Sequence, residues 1–322
     1  MTFVYVLVSN EKDTYYEQTM ISVTSLIKHN KNAKVIIIVD QDTAKSLQGK
    51  RTYHEKLGIE ICTVHVPEAM NNRDRSRFLK TSMYNYVDED FLFIDGDTVI
   101  CGSLDDIDQS LPIGMVLDRH LPISESSYKS FYDERSKPLN WASGFDDKHF
   151  NSGVIWAKKT AETQKFFDLW HSLWKDTLKH YSVVYDQTAL NEANFESNGF
   201  IREMDGIWNC QVSRRSASLK YIYDAKILHY YASFGLTCYD LADKDLQRTI
   251  LQDKHPDLDA ILQNPKCAFS EVLDMIADAP SVNIQRTGAY RLLLHIFKKQ
   301  SFVFKMTNKA CGFILRHFIK VK

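Results

Sequence analysis

The chain has 322 residues, of which 44% are hydrophobic and 12% aromatic, and its formal net charge at pH 7 is −1. This length and apolar content allow one large domain, or one domain with an appendage, and they exclude a disordered chain. The charge is uneven, because the residues after Asp278 include nine lysines and arginines and no acid. The rest of the chain is therefore acidic, which argues against a nucleic-acid partner.

Six cysteines are scattered along the sequence, without a Cys-x-x-Cys pair or a histidine at zinc-finger spacing. This pattern predicts neither a disulfide framework nor a structural zinc site, and it fits a reducing cytosol. The first residues lack the basic segment of a signal peptide, and no stretch approaches the roughly 18 apolar residues of a membrane span. We therefore expect a cytoplasmic protein.

Alternating strand and helix patterns predict a doubly wound α/β fold. Continuous apolar runs at residues 4–8 and 35–39 are typical of buried parallel strands, and residues 15–29 between them have the spacing of a crossover helix. Further strands are predicted at residues 59–63, 91–94, 154–156 and 227–230, and further helices at residues 76–86 and 161–178. No glycine-rich loop follows the first strand, which argues against an ordinary dinucleotide or P-loop site.

Polar residues follow several of these strands, at the edge of the sheet where α/β folds bind ligands. They include Ser9, Asn10, Asp40 and the tripeptide Asp95-Gly96-Asp97. Two carboxylates one residue apart suit a hard divalent cation that also holds a diphosphate. The alternative for the tripeptide alone is a solvated turn that ends a strand.

The order of several motifs resembles family 8 of the retaining, metal-dependent glycosyltransferases, which includes lipopolysaccharide galactosyl- and glucosyltransferases, over residues 3–236. The matching segments are residues 76–80, 87–100, 103–107, 150–154, 186–187, 208–211 and 227–230. Each match is weak alone, but their shared order is specific. The resemblance implies a GT-A fold, which is a Rossmann-like α/β fold with a mixed sheet, over residues 1–239, and a helical C-terminal region over residues 240–322.

The resemblance also implies a metal site formed by Asp95, Asp97 and His229, with Mn²⁺ as the ion and Mg²⁺ as the alternative. A cation there would neutralise the charge that develops on the leaving diphosphate. For His229 the alternative is an ordinary histidine at a strand end.

Donor-binding residues follow from the same resemblance. They are Val8, Ser9, Asn10, Arg77, Lys80, Asp95, Gly96, Asp97, Asn151, Asp186, Gln187 and Gly235, with Gln187 and Asp186 as the catalytic pair. Arg77 and Lys80 lie one helical turn apart and share a face, although a solvated basic surface is the alternative for Arg77. Because glutamine is a poor nucleophile, we favour acceptor attack on the leaving-group face, with Gln187 stabilising the developing cation. Double displacement through a carboxylate stays open.

The chain departs from the family pattern at two places. Val8-Ser9-Asn10 stands where the family has an Ala-Asp pair that grips uridine, and the segment around Gly235 lacks the Lys-Pro-Trp that follows the metal histidine. The first departure leaves uracil recognition without its usual residues. After the second, either another base binds the phosphate or closure over the donor is weaker. An insertion at residues 136–147 is predicted to be a loop on the acceptor side.

From residue 286 onward, basic residues alternate with leucine, isoleucine and phenylalanine in a helix-compatible pattern. This composition favours an interfacial helix on an anionic membrane surface, where each lysine or arginine adds roughly 1 kcal/mol. The alternative is a helix that packs on the catalytic domain.

Together these patterns predict a glycosyltransferase that is peripheral on the inner face of the plasma membrane. It would move a hexose from a nucleotide sugar, such as UDP-glucose or UDP-galactose, to a surface glycan or lipid-linked acceptor. One alternative is a nucleotidyltransferase acting on sugar phosphates, which is disfavoured because a glycine-rich basic loop is missing. The other is a catalytically inactive GT-A scaffold on the membrane, which is disfavoured by the intact Asp95, Asp97 and His229.

Overall fold

The computed structural model describes residues 1–180, 185–213, 220–232, 241, 243–252, 254–268 and 287–317. The chain divides into two compact units, Met1–Phe269 and Ser270–Lys322. The first unit contains all the strands that the described residues form.

Ten strands in the described ranges form two sheets. They are β1 (Thr2–Leu7), β2 (Lys34–Asp40), β3 (Glu60–Val64), β4 (Phe91–Ile94), β5 (Thr98–Ile100), β6 (Ile113–Met115), β7 (Val154–Ala157), β8 (Arg202–Glu203), β9 (Cys210–Ser213) and β10 (Ile227–Ala232). The larger sheet has the order β3-β2-β1-β4-β7-β6-β8. Its first four strands run parallel, whereas β7 runs antiparallel to both β4 and β6. The mixed α/β fold predicted from the sequence is confirmed.

The smaller sheet has the order β5-β10-β9, with β10 antiparallel to β5 and parallel to β9. The segment between β4 and β5 joins the two sheets. Its backbone bonds to both sides, because the Asp95 N–H donates to Gly153 O at 2.8 Å and Asp97 O accepts from the Tyr230 N–H at 3.0 Å. The Asp-Gly-Asp tripeptide thus lies at the seam between the sheets.

Nine α-helices accompany the sheets in the described part of the first unit. They are α1 (Tyr15–His29), α2 (Gln41–Ser46), α3 (Tyr53–Lys56), α4 (Asn72–Ser82), α5 (Lys129–Ser136), α6 (Ala161–His180), α7 (Asp186–Glu196), α8 (Lys244–Arg248) and α9 (Pro256–Gln263). The predicted crossover helix at 15–29 coincides with α1. The predicted helix at 76–86 instead ends at Ser82 and continues as a 3₁₀ turn, Met83–Tyr86. The hydroxyls of Thr81 and Ser82 bond back to the carbonyls of Arg77 and Phe78, and such bonds compete with the helical ladder.

Helix α6 supplies a large part of the core. Phe167, Trp170 and Trp174 on one face of α6 are almost completely buried, so this face belongs to the core. The Trp170 indole N–H also donates to the backbone oxygen of Asp186 at 2.8 Å. This bond fixes the first residue of α7 against the core, and that residue is one of the predicted site residues.

The second unit contains α10 (Gly288–Lys299) and α11 (Ser301–His317) among its described residues. Both helices expose large apolar side chains, including Leu292, Phe297 and Phe302. Within the described ranges, no helix has both the length and the apolar character needed to cross a bilayer.

Candidate active site

The Asp-Gly-Asp turn begins where a completely buried strand reaches the surface. All four residues of β4 are buried, whereas Asp95 and Asp97 are partly exposed. A Cβ added to Gly96 would lie 2.6 Å from the hydroxyl oxygen of Thr19 in α1. Only glycine allows this close approach of helix and turn, so the turn presents both carboxylates from a tightly packed backbone.

Asp95, Asp97 and His229 lie together, and their candidate ligand atoms are within 4.8 Å of one another. His229 is buried in β10, and its Nε2 atom is 3.2 Å from Asp97 Oδ1. Two carboxylates and an imidazole form a ligand set that suits Mn²⁺ and is also open to Mg²⁺. The three residues predicted as metal ligands from widely separated segments thus fit a divalent cation chemically.

A chain of hydrogen bonds sets the orientation of the His229 ring. The Asn151 amide nitrogen donates to Asp118 Oδ1 at 2.8 Å, and Asn151 Oδ1 accepts from the Asn209 amide nitrogen at 2.9 Å. Asn209 Oδ1 in turn lies 3.0 Å from His229 Nδ1. The Asp118 carboxylate can only accept, so in each asparagine along the chain the amide nitrogen donates and the amide oxygen accepts. His229 Nδ1 must therefore donate to the oxygen of Asn209. In the neutral ring Nε2 then carries the lone pair, which metal ligation requires.

Replacing Asn209 with alanine should therefore lower the Mn²⁺ affinity by about 10- to 100-fold, since the ring loses the acceptor that fixes its tautomer. Titration of the full chain with Mn²⁺, followed by the electron paramagnetic resonance signal of the free ion, measures this affinity. Asn85→Ala, at an exposed asparagine, is the matched control. An unchanged affinity in a folded Asn209→Ala variant would contradict this role.

Gly153 makes room for the same imidazole. A Cβ at this position would lie 2.3 Å from Cε1 of His229 and 2.9 Å from Asn151 Oδ1. Real Cβ atoms do not approach other heavy atoms so closely, so any side chain here would push the ring out of place. Within the Phe150–Val154 segment that resembles the family, Gly153 is therefore required for steric reasons.

Lys80 lies between two buried or half-buried carboxylates. Its Nζ is 3.0 and 2.9 Å from the two oxygens of Asp95 and 3.7 Å from Asp186 Oδ2. Arg77, one turn earlier on α4, has its Nε 3.4 Å from Asp186 Oδ1. Arg77 and Lys80 therefore reach the site together, as their helical spacing predicts, and both approach Asp186.

The charges of the site shift the pKa values of its three aspartates. Burial raises the pKa of Asp95 above its usual value, and Lys80 offsets this only in part. Burial acts in the same direction on Asp186, but Lys80 and Arg77, with a hydrogen bond from Ser152, hold its pKa below the usual value. For Asp97 the effect of burial is outweighed by the charge and hydrogen bond of His229 in its protonated form, so with no metal bound its pKa is lowered. Asp97 and Asp186 are thus charged near neutral pH.

The Asp186-Gln187 pair begins α7 beside this cluster. The Ser152 hydroxyl donates to Asp186 Oδ2 at 3.1 Å, and Gln187 Oε1 lies 3.4 Å from both the Ser152 N–H and the Asn151 amide nitrogen. The predicted catalytic pair, Asn151 and the predicted metal ligands therefore form one connected group. Their roles toward a donor stay predictions.

Val8, Ser9 and Asn10 follow β1, one strand away from Asp95. The Ser9 hydroxyl donates to Asp13 Oδ1 at 2.6 Å and accepts from Arg51 Nη2 at 2.5 Å, and the Asn10 N–H donates to Asp13 Oδ2 at 3.0 Å. Asp13 and Arg51, which sequence reasoning missed, thus hold this loop. Gly235, also predicted to bind the donor, lies outside the described residues.

Two further residues that build the site were missed. Asn209 lies in the Trp208–Gln211 segment that resembles the family. Its position directly before a strand near His229 could have indicated a role at the site. Asp118 lies in no matching segment, and only its contact with Asn151 reveals it.

No family model matches the chain, and a search of curated proteins finds no match. Solved structures that match include mouse xyloside xylosyltransferase 1 in its apo form, with 12% identity over 71% of this chain and 97% of that chain and a TM-score of 0.47. They also include the galactosyltransferase LgtC in complex with donor and acceptor sugar analogs, with 14% identity over 78% of this chain and 95% of that chain and a TM-score of 0.49. Identities of 12–14% are too low for such a likeness to show a shared activity.

Proposed function

We propose that the chain is a metal-dependent, retaining glycosyltransferase that moves a hexose from a nucleotide sugar, UDP-linked by family resemblance, to a glycan or lipid-linked acceptor. The observation that carries the proposal is the Asp95, Asp97 and His229 cluster beside the buried Lys80–Asp186 pair. A carboxylate–imidazole cluster with adjacent cations is suited to a diphosphate, and the carboxyl edge of an α/β sheet is where such ligands bind.

Asp95, Asp97 and His229 would hold Mn²⁺, with Mg²⁺ as the alternative. A bound divalent cation supplies Lewis-acid stabilisation of the negative charge on a departing diphosphate. Lys80 and Arg77 add two fixed positive charges next to this position, and preorganised charges of this kind need no rearrangement during the reaction.

The sugar would lie over Asp186 and Gln187. Asp186 is charged and suited to accept hydrogen bonds from sugar hydroxyls, while the Gln187 amide oxygen offers partial negative charge to a developing cation. In the front-face route, the acceptor hydroxyl oxygen bonds to the anomeric carbon as the bond to the diphosphate breaks. Its proton passes to the departing phosphate oxygen.

The proposal is tested by incubating the full chain with a panel of nucleotide sugars, with Mn²⁺ or with a chelator, and measuring the nucleoside diphosphate released. We expect slow hydrolysis of one donor with Mn²⁺ and none with the chelator. Metal-independent release, or no binding of any nucleotide sugar, would contradict the proposal. Formation of a nucleoside triphosphate from added pyrophosphate would instead identify a nucleotidyltransferase.

We also propose that α10 and α11 bind an anionic membrane surface. Their described residues expose Phe302, Met306 and Phe313, and the second unit contains lysines and arginines but no acid after Asp278. Apolar side chains that enter the headgroup region and bases that meet anionic lipids are the features of an interfacial helix. A lipid-linked acceptor would be found at such a surface.

Replacing the exposed Lys305 and Lys309 with glutamine should weaken binding to phosphatidylserine-containing vesicles by roughly 30-fold, since each base contributes about 1 kcal/mol. Co-sedimentation of the full chain with vesicles measures this. The control replaces Lys50 and Lys56, two exposed lysines of the first unit, in the same way. Equal losses from both pairs would argue against the tail as the binding element.

A further inference from the structure

A guanidinium group is enclosed by two aromatic rings near the candidate active site. Cζ of Arg135, on α5, lies 3.3 Å from the ring centroid of Phe131 and 3.2 Å from that of Tyr185. The two ring centroids are 6.4 Å apart, so the guanidinium lies between them. We call Phe131, Arg135 and Tyr185 the arginine clamp.

The arginine clamp is connected to the candidate active site in two ways. Tyr185 directly precedes Asp186 and Gln187 in the chain. Tyr132, next to Phe131 on α5, donates from its hydroxyl to Asp118 Oδ2 at 2.6 Å, and Asp118 is the carboxylate that orients Asn151. The clamp is therefore linked to residues of the predicted sugar site through the backbone at Tyr185 and through Asp118.

Arg135 has the properties of a group that awaits a ligand. Among the described residues no carboxylate forms an ion pair with it, and Asp118 and Glu134 act on it only at longer range. Burial between the rings lowers the pKa of Arg135, yet a guanidinium stays charged at physiological pH. Rings on two sides limit the rotamers of the side chain, which stays partly exposed.

A second guanidinium borders the same aromatic group. Cζ of Arg119 lies 4.4 Å from the ring centroid of Tyr128, and that ring is 6.0 Å from Phe131. Arg119 has a left-handed backbone with φ of 60°, which is unfavourable for a non-glycine residue, and its N–H donates to Gln211 Oε1 at 2.8 Å. Such strained conformations persist where the surroundings enforce them, often at ligand sites.

We propose that the arginine clamp binds the anionic group, a phosphate or a carboxylate, of a charged sugar acceptor. That the ligand is a sugar acceptor rests on the proposed transferase function, whereas the binding of an anion at Arg135 does not. The planar guanidinium offers paired N–H donors that match two oxygens of a phosphate or carboxylate. The flanking rings of Phe131 and Tyr185 offer apolar surface to the sugar ring that carries this anion.

Calorimetric titration of the full chain tests this proposal. Mn²⁺ and UDP are kept in excess to occupy the donor site, and the probes are glucose 6-phosphate, glucuronate and the uncharged methyl glucoside. We expect a charged sugar to bind at least about 10-fold more tightly than methyl glucoside. The tighter of the two charged probes identifies the anion as phosphate or carboxylate.

Arg135→Gln should weaken binding of the charged probe by about 10- to 100-fold. Arg135→Lys should cause a smaller loss, since lysine keeps the positive charge but lacks the paired N–H donors of the guanidinium. Arg248→Gln, at an exposed arginine of α8, is the matched control and should bind as the wild type does. Circular dichroism checks that each variant is folded. If Arg135→Gln does not fold, the Arg135→Lys variant and the preference of the wild type for charged probes decide the result.

Equal binding of charged and uncharged probes by the wild type would overturn the proposal, as would wild-type affinity in a folded Arg135 variant. Failure of the transferase proposal gives a different result. In that case UDP and Mn²⁺ would not bind, while glucose 6-phosphate or glucuronate would still bind in an Arg135-dependent way.

Discussion

Replacing Asp97 with asparagine should reduce Mn²⁺-dependent turnover of the nucleotide sugar by at least about 10³-fold. The variant keeps the volume of the side chain but removes the charge of a predicted metal ligand, and metal stabilisation of a leaving diphosphate is worth several kcal/mol. Asp97 is the best candidate for this test because its pKa is lowered by His229 and it is charged near neutral pH. Release of the nucleoside diphosphate at saturating donor measures the effect.

The control for this variant is Asp88→Asn, at an exposed aspartate before β4. It changes the formal charge by the same amount but leaves the Asp95, Asp97 and His229 cluster intact. Turnover that survives in Asp97→Asn and in the presence of a chelator would rule out the metal-dependent reaction.

Replacing Lys80 with methionine should lower the free energy of unfolding of the metal-free chain by about 3 kcal/mol, the lower end of the range for breaking a buried ion pair. Lys80 is buried, and its removal leaves the partly exposed Asp95 without its cation and the buried Asp186 with Arg77 alone. Urea denaturation at pH 7 measures the loss, with Lys50→Met at an exposed position as the control. Added Mn²⁺ should restore part of the lost stability, since it would supply positive charge at the same carboxylates.

The pH dependence of this effect has a defined sign. The pKa of Asp186 is below its usual value of 3.8 in the folded chain, mainly through Lys80 and Arg77 acting against burial. A lowered carboxyl pKa contributes stability that is present above the unfolded pKa and is lost as the pH falls through the folded pKa. The difference between wild type and Lys80→Met should therefore be complete near pH 7. It should begin to shrink as Asp95, whose pKa is raised, takes up a proton, and shrink further below about pH 4 as Asp186 does. A difference that stays constant down to pH 3 would show that packing, not charge, explains the loss.

Local hydrophobic patterns in the sequence predicted much of the fold. Helix α1 and strand β4 have the bounds expected from their apolar spacing, because both are buried elements whose hydrophobic period is set by the core. The end of α4 was predicted less well, since the hydroxyls of Thr81 and Ser82 change the helix locally in a way that hydrophobic spacing does not reflect.

The site was predictable only where a residue lies in a short motif. Asp95 and Asp97 follow a buried strand, and His229 lies in a recognisable strand segment, so their types and positions could be read. Asp118 and Arg135 could not be, because the contact of Asp118 with Asn151 and that of Arg135 with Tyr185 join segments far apart in the chain. A lone aspartate or arginine in an unmatched loop has no local signal that separates it from a solvated surface charge.

The Asp95, Asp97 and His229 cluster lies at the seam between the sheets, and this position has a consequence for stability. A cation held by Asp97 and His229 would act as a cross-link across more than 130 intervening residues, and that stretch includes Asn151, Asp186 and Gln187. Ligand binding to the folded state alone raises stability by about 2.7 kcal/mol at a concentration 100 times the dissociation constant. The ion would thus add its binding free energy to the contacts that already join the two sheets, and this contribution would be lost once either sheet released its ligand.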